Sequence, residues 1–98
     1  MNYMNDFEIM GAQARWKNHP VLSKAAQFLA AFKEQVDNNS DGWAYWKAPV
    51  AAANKLMCLL QNPPANVTEA DLKKALAPIK AFYTRRGNAA GMQMPVIF

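Results

Sequence analysis

The sequence predicts an all-α fold, a compact four-helix bundle with proline-kinked third and fourth helices and an extended apolar C-terminal tail. Three observations carry that expectation. Apolar residues recur at steps of three and four in four separate stretches. Capping residues, prolines and glycines stand between those stretches, where helix ends need them. At 98 residues the chain has enough interior for one hydrophobic core and too little for two, so residues 1–98 are read as a single domain.

The first helix is expected over residues 6–17. Asn5 and Asp6 stand where an N-cap is needed, with Glu8 three residues after Asn5, and Phe7, Met10 and Ala14 then follow at helical spacing as its apolar row. Asn18-His19-Pro20 breaks it. His19 is expected to cap or to lie on the surface, and Pro20 to open a second helix over 20–37, where its missing N–H has no partner to lose. Leu22, Ala25, Leu29, Phe32 and Val36 form that helix's apolar stripe, widened by Val21 and Phe28, with Lys33 off it.

Residues 37–42, Asp-Asn-Asn-Ser-Asp-Gly, form a polar turn cluster suited to ending a helix. A third helix is expected over 42–61, because Trp43, Trp46, Val50, Ala53, Met57 and Leu60 keep phase across Pro49. Asn62-Pro63-Pro64 is a stiff connector. Thr68-Glu69-Ala70-Asp71 has the pattern of a capping box and opens a fourth helix over 69–86, with Leu72, Leu76, Ile79 and Tyr83 as its stripe and Pro78 as a second kink. Gly87 ends it, and residues 88–98 are the tail. The likeness of Trp16–Val21 to Trp46–Val50 does not extend along the helices and indicates no repeat.

Composition excludes several function classes. No stretch approaches the roughly 18 apolar residues of a membrane span, and the opening residues have neither a signal-peptide nor a transit-peptide pattern. A soluble cytoplasmic protein is expected. Cys58 is the single cysteine, which excludes an internal disulfide and a multi-thiolate metal site, and its setting in Leu56-Met57-Cys58-Leu59-Leu60 predicts a buried side chain. His19 is the single histidine. No nucleophile stands beside a base, no carboxylate pair is set for acid–base work, and no glycine-rich phosphate loop or metal-ligand spacing occurs. The chain is expected to be no enzyme and to need no cofactor or metal.

Surfaces remain as the candidate sites. Residues 1–41 carry four basic and five acidic side chains and residues 42–98 seven and two, so the net +4 belongs to the second half. Lys73, Lys74, Lys80, Arg85 and Arg86 make the fourth helix a basic amphipathic helix, a candidate nucleic-acid surface. Trp43, Tyr45 and Trp46 form the densest aromatic cluster, a candidate protein anchor, although the phase of the two tryptophans assigns them to the core and leaves Tyr45 outward. Met92, Met94, Val96 and Phe98 alternate along the tail and would offer one apolar row to a groove or sheet edge. The function these features predict is a protein-binding accessory or inhibitory protein, of a kind that suits a phage or mobile element, that docks on a larger host complex. A small nucleic-acid-binding protein is the second expectation and a homodimer the third.

Overall fold

A computed structural model describes residues 5–38 and 42–87, with side chains over 5–38 and 46–85. Asn5 accepts the backbone N–H of Glu8 through its side-chain oxygen at 2.8 Å, and α1 (Asp6–Trp16) begins behind that cap. Its inward face is Ile9, Ala12 and the half-buried Trp16. This corrects the expected phase, since Phe7 is 86% exposed, Met10 61%, and Ala14 is exposed as well. The helix has two apolar rows on opposite sides, and Trp16 decides between them: its indole N–H reaches the carbonyl of Leu60 at 2.8 Å.

His19 organises the next start. Its Nδ1 accepts the backbone N–H groups of Val21 and Leu22, each at 3.1 Å, while its carbonyl accepts the Ser23 hydroxyl. The imidazole thus does the work of an N-cap side chain. Helix α2 (Leu22–Asp37) accordingly starts two residues beyond Pro20, which lies in the turn. Its stripe is buried as expected, with Phe28, Leu29 and Phe32 excluded from solvent.

Lys33 corrects a second expectation, because it is buried and not on a solvated flank. Its ammonium donates to Asp37 one turn on at 2.6 Å and pairs with Asp6 of α1 at 3.2 Å, so the aliphatic stem lies between the two helices and the charge is met at both ends. The start of α1 is thereby tied to the end of α2.

Helix α3 (Gly42–Gln61) runs through Pro49 in one piece. Trp46, Pro49, Val50, Ala53, Leu56, Met57 and Leu60 face inward. Cys58 is exposed, contrary to expectation. In the unbroken apolar run 56–60 the helical turn must send something outward, and Cys58 lies about 100° past the buried Met57. Helix α4 (Glu69–Phe82) opens with the capping box complete: Thr68 Oγ1 accepts the Asp71 N–H at 3.3 Å and Asp71 accepts the Thr68 N–H at 3.0 Å. Its last turn widens into a π turn over Tyr83–Gly87.

The direction of each helix follows from its end contacts. Trp16 and Arg15 reach the carbonyls of Leu60 and Gln61, Lys24 pairs with Glu69, and the Tyr83 hydroxyl donates to Gln35 at 2.6 Å. Starts meet starts for α2 and α4, ends meet ends for α1 and α3, and the bundle runs up, down, up, down. Helix α1 packs chiefly on α2 and α4 chiefly on α3. The two outer helices are joined through the α2–α3 pair.

Three outcomes follow from this packing. Leu29→Ala and Phe32→Ala are each expected to cost about 2–5 kcal/mol as buried truncations, whereas Phe7→Ala should stay within about 0.5 kcal/mol of wild type; urea melts compare them directly. For the cap at residue 19, His19→Ala is expected to lose about 1 kcal/mol and His19→Asn to recover most of it. The third outcome is alkaline. The Asp37 hydrogen bond, opposed by burial and reinforced by Asp6, holds the Lys33 ammonium above its ordinary 10.5, and burial holds the Tyr83 phenol above its ordinary 10.0. In both cases the folded group keeps its proton longer, so the stability it contributes is complete below the ordinary value and is lost as pH climbs through the raised one. The melting temperature should fall steeply above pH 10.0, and Lys33→Met and Tyr83→Phe should each flatten that fall.

Candidate functional site

The sequence-predicted site residues fall into three groups. Trp46 is fully buried, with ring centroids 5.7 Å from Phe32, 4.9 Å from Phe82 and 5.6 Å from Tyr83. It therefore belongs to the core and is withdrawn from the partner-binding set. The side chains of Trp43, Tyr45 and Arg86, and the tail residues Met92, Met94, Val96 and Phe98, lie outside the described residues. Lys73, Lys74 and Lys80 are exposed on α4, and Arg85 is exposed in the π turn that follows it. Lys73 lies in the field of Glu69, whose carboxyl is held below its usual value mainly by the Lys24 hydrogen bond and charge. Lys74 lies about 100° further round the helix, on the side toward α3.

There it helps form a groove that the sequence did not disclose. Ala48, Ala51, Ala52 and Leu59 of α3 stand opposite Ala75 and Pro78 of α4, around an open space of about 450 Å³, and Leu56 closes its base. Lys55 and Lys74 line it from the two helices. The spacing explains its shape. Residues 48, 51, 52, 55 and 59 fall on one side of α3 at steps of three and four. Alanine at the first three leaves the helix backbone within reach of anything that lies along the groove, and Leu59 and Ala75 remain only half-buried. Sequence reading missed it because these alanines fall outside the buried stripe of α3, and small residues off a stripe read as ordinary helix formers.

No protein-family model matches the chain, and comparison with curated proteins and with solved structures gives no match either.

A second surface lies on α1, where Phe7, Met10, Gly11 and Ala14 form one exposed row. A side chain added at Gly11 would meet nothing within 4 Å. Packing among the described residues does not require glycine there. His19 is committed to the α2 cap, Cys58 is exposed, and among the described residues no group of three His, Cys, Asp or Glu side chains is placed to hold a metal. Among the same residues no helix is long and apolar enough to cross a membrane.

Proposed function

We propose that the chain is a non-catalytic protein-binding module, an accessory or inhibitory protein of the kind a phage or mobile element would use to dock on a host complex. The groove between α3 and α4 is the observation that supports this reading most directly. Its alanine floor accepts a helix at close range, its half-buried Leu59 and Ala75 give that helix apolar surface to cover, and Lys55 and Lys74 set the sign of the charge it must carry. The fitting occupant is an amphipathic helix of the partner with acidic residues along both margins of its apolar row. Lysines at the rim would speed encounter and select the partner more than they would add to affinity.

The exposure of Lys73, Lys80 and Arg85 favours nucleic acid as the second reading. Lys74 serves the groove in the first reading and phosphate in the second, so substitutions there do not separate them. Lys80 and Ala51 do.

Capture from a host lysate, with a photo-crosslinker on the exposed thiol of Cys58, makes the comparison concrete. Ala51→Trp, which fills the groove, and the charge reversal Lys55→Glu with Lys74→Glu should each reduce capture of one crosslinked protein at least tenfold, and the crosslink should map to a net-acidic helical segment. Lys80→Gln should leave capture unchanged. Capture that survives both groove variants would overturn this reading. Capture that is lost on nuclease treatment and weakens steeply with salt would replace it with the second, since each phosphate neutralised releases roughly one counterion.

A further inference from the structure

We infer that the exposed row of α1 is a self-association surface, on which two copies of this chain pair through antiparallel α1 helices. The first ground is chemical. Among the described residues, Phe7 at 86% and Met10 at 61% exposure are the large apolar side chains that the bundle leaves in water. They lie on one row with Ala14 and Gly11, directly opposite the row of Ile9, Ala12 and Trp16 that enters the core. A helix apolar on two opposite sides has two neighbours to satisfy. Helix α2 supplies one.

The second ground is the glycine. Glycine within a helix is less favourable than alanine, and at position 11 nothing among the described residues requires it, because the space a Cβ would enter is open. A close approach of another backbone from outside would use that space. Gly11 also lies within about half a residue of the midpoints of the row and of its charged flanks. An antiparallel pair centred there places Phe7 of each copy against Ala14 of the other, large against small, and brings the two Gly11 backbones together at the two-fold axis.

Charge selects the second copy as the occupant. At about 100° per residue, Glu8 and Arg15 flank the row on one side and Asp6 and Lys17 on the other. A two-fold axis perpendicular to the helices maps each flank onto itself with its direction reversed. Glu8 of one copy then faces Arg15 of the other, and Asp6, which also pairs with Lys33 of its own chain at 3.2 Å, faces Lys17, so four opposite-charge pairs border one apolar seam. A parallel pair would set like against like on both flanks. Arg15 already lies over the Trp16 ring at 4.4 Å and donates to the Gln61 carbonyl, which holds its position while a guanidinium's five N–H groups leave donors for Glu8.

The row is short beside the roughly 800 Å² per partner of a standard interface, so the dimer is weak, with a dissociation constant of about 10–1000 μM. It is separate from the α3–α4 groove, and pairing would present two grooves on one particle.

Sedimentation equilibrium across that range, together with cysteine crosslinking in a Cys58→Ser background, tests the inference independently of any partner. Wild type is expected to associate reversibly. Phe7→Ser and Glu8→Arg should each weaken association at least tenfold with no change in melting temperature at low concentration. Gly11→Cys should form a disulfide dimer rapidly, and Ala14→Cys should not, since an antiparallel pair sets the two copies of position 14 about 9 Å apart along the axis at 1.5 Å per residue. A monomer up to about 1 mM, association that persists in Phe7→Ser, or equal crosslinking at positions 11 and 14 would each overturn it. So would a monomeric wild type that associates only when residues 88–98 are deleted, because the tail would then be what covers Phe7.

Discussion

The seat of Trp46 is the constraint on which the rest of the bundle depends. Its indole lies among Phe32 of α2, Phe82 of α4 and Tyr83 of the π turn that follows, with centroid separations of 4.9–5.7 Å and tilted or edge-on rings, the arrangement aromatic quadrupoles prefer. One side chain thus joins three helices. It also explains how α3 tolerates a proline. Pro49 removes the backbone bond to the carbonyl of residue 45 and crowds that turn, a defect of about 3 kcal/mol in an unsupported helix. Here Pro49 is itself fully buried, and Trp46 before it and Val50 and Ala53 after it are all held in the same core. Tertiary packing on both sides of the break keeps the axis continuous where local propensity would end it.

The same cluster fixes the end of α4. Phe82 and Tyr83 are neighbours in sequence, yet both rest on Trp46, and the helix passes into a π turn at Tyr83. The buried phenol is satisfied by Gln35, so the end of α4 is fastened to the end of α2 by one hydrogen bond inside an apolar setting. At the opposite end of the bundle, Trp16 closes the last turn of α3 through the Leu60 carbonyl. Tryptophans therefore organise both ends, one through ring packing and one through its N–H.

Much of this was legible in the sequence, and the failures have identifiable causes. The stripe of α2, the capping box at Thr68 and the unbroken phase of α3 across Pro49 were readable because apolar spacing and end chemistry agreed at each place. In α1 they did not decide the answer. Phe7-Met10-Ala14 and Ile9-Ala12-Trp16 are equally regular rows, and the choice was made by long-range partners, the Leu60 carbonyl for Trp16 and Lys33 for Asp6. Cys58 was misread for the related reason that a continuous apolar run carries no phase. Lys33 was misread because charge was taken as a sign of exposure, whereas two carboxylates from different helices meet it. The groove was invisible for a different reason. It exists only where the alanines of α3 stand across from Ala75 and Pro78, and no property of either helix alone announces that pairing.

The α3–α4 groove and the α1 row are unlike in a way that bears on their use. The α3–α4 groove is concave, floored by small side chains and lined by two lysines, so it selects by shape and by the sign of charge and suits an occupant different from this chain. The α1 row is convex, led by a phenylalanine, and bordered by acidic residues toward its start and basic residues toward its end. A surface that carries both the large and the small element, and both signs of charge in reversed order about its centre, is complementary to itself. Helix α1 packs chiefly on α2 and α4 chiefly on α3, so neither surface needs to be dismantled for the other to be occupied. What remains shared between them is the core: a change at Trp46 or Phe32 would disturb both, whereas Phe7 and Ala51, both exposed, can be altered one at a time. That separation is what allows partner binding and self-association to be assigned to different residues of so small a domain.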